Sequence, residues 1–202
     1  YKLGFDLTDG QDFPVPTAVV DQVAGDDSPV DNIFATIGEA IDGVPENGWP
    51  VIVVRSGTYD ESVYLDKRVA LVAEIGGVPP RIKEDIYFDW GSEDSVLDAF
   101  LIQPDIGPVS NWSRIEVDLT SSDDRVRISN CLIRDFSGFF NSAVSATWGG
   151  IVMEHCTLIE NSVKFQSSAV SVSSGASVSI RNSILWNPDG EYGQEIEADD
   201  PA

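Results

Sequence analysis

Basic side chains are scarce in this chain. Twelve Lys and Arg stand against 34 Asp and Glu in 202 residues, a formal net charge of −22 at pH 7. Binding a phosphate backbone needs a basic footprint, so nucleic acid is excluded as a partner. Histidine occurs once, at His155, which excludes a histidine-based catalytic triad and a multi-histidine metal site. Two cysteines do not define a redox compartment. No apolar run is long enough to cross a bilayer, and no signal peptide stands at the start; membrane insertion is not expected. The chain opens at Tyr1 rather than Met, which is compatible with removal of a leader by processing. Zinc-ligand spacings, a P-loop and a G-x-S-x-G elbow are also missing.

What the chain has is repetition. The segment Val178-Ser-Ile180-Arg-Asn182-Ser183-Ile184-Leu185-Trp186-Asn187 follows the pattern of Ile151-Val-Met153-Glu-His155-Cys156-Thr157-Leu158-Ile159-Glu160. Val126-Arg-Ile128-Ser-Asn130-Cys131-Leu132-Ile133-Arg134-Asp135 is an earlier copy. Val96–Ile102 and Val69–Ala73 are more diverged ones. Placing Leu71, Leu97, Ile128, Met153 and Ile180 in one slot gives spacings of 26, 31, 25 and 27 residues. A period in this range marks a solenoid or array. Each copy alternates apolar and polar residues and is rich in β-branched side chains, the mark of a strand, and nothing of helix length lies between copies. One turn of a parallel β-helix fits this better than a leucine-rich repeat.

Stacked coils set equivalent residues about 4.8 Å apart along the axis. The slot two past the anchor then reads Ala73, Ala99, Asn130, His155, Asn182, a hydrogen-bonding ladder suited to a turn. The next slot holds Phe100, Cys131, Cys156 and Ser183. In-register Cβ atoms point the same way, so Cys131 and Cys156 are expected as buried free thiols rather than a disulfide.

This coil grammar resembles the right-handed parallel β-helix proteins of the pectin lyase-like superfamily. Thr36-Ile-Gly-Glu-Ala-Ile41, Pro50-Val-Ile-Val-Val54, Ser56-Gly-Thr-Tyr59, Glu61-Ser-Val63 and Arg68-Val-Ala-Leu71 resemble how such chains begin. The likeness spans roughly residues 30 to 187. It implies an all-β, single-stranded right-handed parallel β-helix with an N-terminal capping α-helix. The paired Gln–Asp motifs of the superfamily's pectin methylesterases are missing. Arg81-Ile-Lys83 and Asp123-Asp124 occur in the reverse of the polygalacturonase order and without the Gly-His-Gly, so both are read as coincidence.

Residues 1–30 are expected as an N-terminal extension, 31–187 as the solenoid with its capping helix at 31–42, and 188–202 as an acidic tail. Ile33, Ile37, Ala40 and Ile41 share one helical face, with Asp31 or Asn32 as N-cap and Gly43-Val-Pro45 as the stop. Val51–Val54 reads as the first buried strand. Ile115–Leu119, Ala143–Ala146 and Ala169–Val172 read as strands of another face, and 103–113 as an outward loop. Little in 188–202 would close the far end, which points to charge, Pro, a neighbouring subunit or further chain as the guard of an open edge. Asp6, Asp9, Asp12, Asp21, Asp26 and Asp27 fall short of a full calcium loop, and turn chemistry is the better account of them. No cofactor is expected, with calcium at these carboxylates as the alternative.

The expected binding groups are aromatic: Trp90, Trp112, Phe139, Phe140 and Trp148, in connections beside carboxylates, where apolar faces with polar handles suit sugar stacking. Asn111-Trp-Ser113 matches a glycosylation acceptor. One outward row reads Asp98, Ser129, Glu154, Arg181. Asp98 and Glu154, two rungs and about 9.6 Å apart, approach the separation used by inverting glycosidases. Glu154 and Arg181 also read as a plain surface ion pair. The expectation is a non-enzymatic extracellular, cell-surface or virion-surface module for structure or adhesion, with a glycan or a neighbouring subunit, including another copy of itself, as partner. A polysaccharide-active glycoside hydrolase or lyase of the same fold, using Asp98, Glu154 and Arg181, is the alternative.

Overall fold

The computed structural model describes residues 16–23, 32–105, 114–138, 142–163, 169–173, 175–188 and 195–198. Asp6, Asp9, Asp12, Asp26, Asp27, Asp31, Trp112, Phe139, Phe140, the Asn111–Ser113 acceptor and most of the 103–113 loop lie outside them.

The chain winds as a parallel β-solenoid of about 5 turns. Every turn contributes a strand to each of three sheets, called A, B and C. Sheet A takes Val51–Val54, Ala70–Ala73, Val96–Asp98, Arg125–Ser129, the second half of Val144–Glu154, and Ala176–Arg181. Sheet B takes Thr58–Tyr59, Arg81–Ile82, Leu101–Ile102, Leu132–Arg134, Thr157–Ile159 and Ile184–Trp186. Sheet C takes Val63–Leu65, Ile86–Phe88, Ile115–Asp118, the first half of Val144–Glu154, Val170–Val172 and Ile196–Ala198. Pairing between turns is parallel throughout.

The anchor slot holds to the residue. Leu71 pairs Leu97, Leu97 pairs Ile128, Ile128 pairs Met153, and Met153 pairs Ile180. The first four are closed to solvent and Ile180 packs half-buried on the core. Ile52, Ile82, Ile133, Leu158, Ile86, Val117 and Val144 fill the same interior from the three sheets. Burial of one such side chain stabilises by about 1.5–3 kcal/mol, so the stack is the main source of the fold's stability.

The polar slot turns out to be a corner in left-handed backbone. Ala99, Asn130, His155 and Asn182 have φ of 68°, 53°, 56° and 51°. Asn tolerates this region better than most residues, which explains its choice where sheet A bends into sheet B. A second ladder guards the far end of sheet B. Buried Asn161 accepts from the Phe136 N–H and donates to the Ile133 carbonyl, and Asn187 repeats the motif toward Asn161 N–H and the Leu158 carbonyl. Cys131 and Cys156 are free, buried thiols. Burial pushes both thiols up, Cys156 to about 11.

The helix is shorter and later than the 31–42 expected. Asn32 has φ of 58°, and Ile33–Phe34 is a strand beside Ala18–Val20. The helix spans Ile37–Gly43 with Thr36 as N-cap and a reciprocal capping box to Glu39. Glu61 reaches in from the first turn and accepts from Ile37 N–H at 2.9 Å and Gly38 N–H at 3.0 Å. The capping box outcompetes Asn32 because it satisfies orphan donors that Asn32 would leave to water. Ile37, Ala40 and Ile41 bury into the N-terminal end of the core. Two strands outside 31–187 also belong to the solenoid: Ala18–Val20 adds to sheet A against Val51–Val54, and Ile196–Ala198 adds to sheet C against Val170–Val172.

Candidate functional site

The strands of sheet C place alternate residues on the outside of the solenoid. Val63, Leu65, Ile86, Phe88, Ile115 and Val117 point inward and are buried. Tyr64, Tyr87 and Glu116 therefore form one outward row, in register on successive turns. The rings of Tyr64 and Tyr87 stack with centroids 4.7 Å apart and an interplanar angle of 9°. That separation is the rung spacing itself, so the ladder holds the pair without further support. Tyr64 keeps 59% of its surface exposed.

The row opens onto a shallow depression of about 350 Å³ lined by Tyr64, Tyr87, Phe88, Asp89, Glu116 and Asp118. Asp89 and Asp118 follow buried Phe88 and Val117, which are register partners, so these two carboxylates stand side by side at the end of the row. Burial pushes the Glu116 carboxyl above its usual range, with Asp118 and then Asp85 adding to the shift. Asp85 is raised by burial too, against the opposing pull of Arg114, whose guanidinium is 2.8 Å away. The Tyr87 hydroxyl donates to Asp85 at 3.3 Å, and its own pKa is pushed up to about 12, chiefly by burial. The arrangement offers a flat apolar platform beside carboxylates able to accept hydroxyl donors.

Trp90 and Trp148 stand next to this site. The Trp90 N–H donates to the Asp89 carboxylate at 2.8 Å, and Trp148 is the register partner of Asp118 across a bulge in the long strand. Both rings are exposed. Gly149, at φ 80°, makes the bend that carries this strand from sheet C into sheet A; a Cβ there would meet Leu119 at 2.7 Å.

Asp98, Ser129, Glu154 and Arg181 lie in register on sheet A, away from the depression. Asp98 is only 1% exposed. Its Oδ1 accepts from Ser129 Oγ at 2.6 Å and Asn130 Nδ2 at 2.7 Å, which ties it into the corner. Glu154 pairs with Arg127 at 3.0 Å and lies 3.9 Å from Arg181. His155 sits 3.4 Å from Asn182 Nδ2. Asp21 pairs with Arg55 at 2.6 Å. Among the described residues, no group of three or more His, Cys, Asp or Glu is placed to hold a metal ion, and no helix is long and apolar enough to cross a membrane.

Sequence reasoning missed the tyrosine pair and Glu116. The signal was present as Val63-Tyr64-Leu65 and Ile86-Tyr87-Phe88, two strands with Tyr at the same outward step. Compared with family models, curated proteins and solved structures, the chain matches none.

Proposed function

We propose that this solenoid is a non-catalytic module of an extracellular, cell or virion surface, and that it binds glycans on the outer face of sheet C. The observation that carries the reading is the Tyr64–Tyr87 stack beside Glu116, Asp118 and Asp89. Aromatic faces take the apolar faces of sugar rings, and carboxylates accept their hydroxyl protons. With so many carboxylates around, the ligand is a neutral oligosaccharide, since uronic or sulfated sugars would be repelled. The opening run from Thr36 to Leu71 supports kinship with pectin lyase-like proteins.

Calorimetric titration with neutral glucan, galactan and chitin oligosaccharides tests the reading. Binding by at least one series is expected, weakened about tenfold in Tyr64→Ala, the effect of losing one aromatic contact of about 1.4 kcal/mol. No binding by any series, or equal binding by a folded Tyr64→Ala, contradicts it. Glu116 favours a second reading, a glycoside hydrolase, because a carboxyl raised by burial next to another carboxylate suits a general acid. Release of reducing ends that disappears in Glu116→Gln would establish that reading instead.

A further inference from the structure

The link between the capping helix and the first coil is tied down at both ends and open in between. Val44 N–H donates to the Ala40 carbonyl and closes the helix, and the Pro50 carbonyl accepts from Ala70 N–H at 2.9 Å. Pro45, Glu46, Asn47, Gly48 and Trp49 between them are all exposed. Among the described residues, neither the Asn47 side-chain amide nor the Gly48 N–H has a hydrogen-bond partner. Gly48 stands at φ 101°, and nothing lies within 4 Å of where a Cβ would be. A side-chain amide carbonyl thus sits next to a backbone nitrogen that no side chain shields.

Comparable steps elsewhere are held shut. Asp42-Gly43 lies inside the helix, and a Cβ on Gly43 would meet the Phe34 ring at 2.5 Å. Asn161 is buried, with its side-chain oxygen on the Phe136 N–H and its nitrogen on the Ile133 carbonyl. Asn130 Nδ2 is committed to Asp98 at 2.7 Å. Asn182 stands in the left-handed corner with Nδ2 3.4 Å from His155 Nε2. Asn187 precedes Pro188, which has no N–H to give up. Asn47-Gly48 is the one Asn-Gly step in the chain.

We infer that Asn47 is a modification site, where the chain deamidates itself through a cyclic imide. The Gly48 nitrogen gives its proton to hydroxide and attacks the Asn47 side-chain carbonyl carbon. The new N–Cγ bond forms, the Cγ–Nδ2 bond breaks, and ammonia leaves after taking a proton from water. Ring closure within one dipeptide needs no partner and has the advantage of an intramolecular reaction. Water then adds to one of the two ring carbonyls. Opening at the side-chain carbonyl leaves aspartate at this position. Opening at the main-chain carbonyl leaves isoaspartate, whose backbone runs through the side chain and is longer by a methylene. Either product adds a negative charge, and isoaspartate lengthens the link that joins the cap to the first coil. Isoaspartate is also the substrate of methyltransferases that esterify its carboxylate from S-adenosylmethionine.

Ageing the 202-residue chain in mildly alkaline buffer, with and without urea, and mapping its peptides by mass spectrometry tests this. In buffer the peptide containing Asn47 is expected to gain the mass of an amide-to-acid exchange, at a rate proportional to hydroxide. That rate should lie within about twofold of the rate in urea, because an exposed link opens at almost no cost. Asn161, locked in the core, should be slower in buffer than in urea by about a hundredfold or more. An isoaspartate-specific methyltransferase should label the aged Asn47 peptide from S-adenosylmethionine. In Asn47→Gln, whose longer side chain disfavours the ring, the same peptide should take no label. An Asn47 peptide that keeps its mass in buffer, equal rates at Asn47 and Asn161 in the folded chain, or a labelled peptide in Asn47→Gln would each overturn it.

Discussion

Glu116 carries a carboxyl that burial holds above its usual range, and Asp118 and Asp85 push it the same way. Its folded pKa therefore exceeds the unfolded value of about 4.3, and folding favours the protonated form. The stability tied to this group is fully present below the unfolded pKa and is lost as pH rises through the folded one. Glu116→Gln removes the ionisable group, so it should raise the melting temperature at pH 7 and leave it nearly unchanged below about pH 4. Calorimetric melting at both pH values checks this; an equal shift at the two would contradict it. The same substitution separates binding from hydrolysis at the depression, which makes Glu116 the most informative single residue in the chain.

The corner row is the element on which the winding depends. In four successive turns the chain bends from sheet A to sheet B within two residues, and one of them sits at φ between 51° and 68°. An ordinary side chain there costs about 1–2 kcal/mol, less for Asn, more where the Cβ is branched. His155→Asn should therefore match the parent in stability to within about 0.5 kcal/mol, whereas His155→Val should lose about 2 kcal/mol. Urea unfolding midpoints at constant m-value measure both; a Val variant as stable as the Asn variant would remove the backbone account of this row. The position of the row was legible in the sequence because its polar residues recur two past an apolar anchor, but a list of hydrogen-bonding residues does not reveal a positive φ. The helix start was misplaced for a related reason. Ile33 obeys the helical period, yet Glu61, distant in sequence, joins the capping box to set the first turn at Ile37. Ala18–Val20 is too short to carry a period and becomes a strand only because Val51–Val54 offers it an edge. The Tyr64–Tyr87 row is not legible in the repeat, whose regular spacing belongs to sheet A, whereas this outward row belongs to sheet C, which follows connections of unequal length.

At the scale of the whole molecule, one stack of coils serves two purposes. It buries a continuous apolar core, and it sets two tyrosine rings parallel at the rung spacing. Both rest on the same alignment of Ile128, Met153 and Ile180 along one axis. Methyl-resolved NOE spectroscopy on the labelled chain tests that alignment most directly. The account predicts cross-peaks between Ile128 and Met153 and between Met153 and Ile180, and none between Ile128 and Ile180, which lie two rungs or about 9.6 Å apart. A direct Ile128–Ile180 cross-peak, or the lack of either neighbouring one, would contradict it.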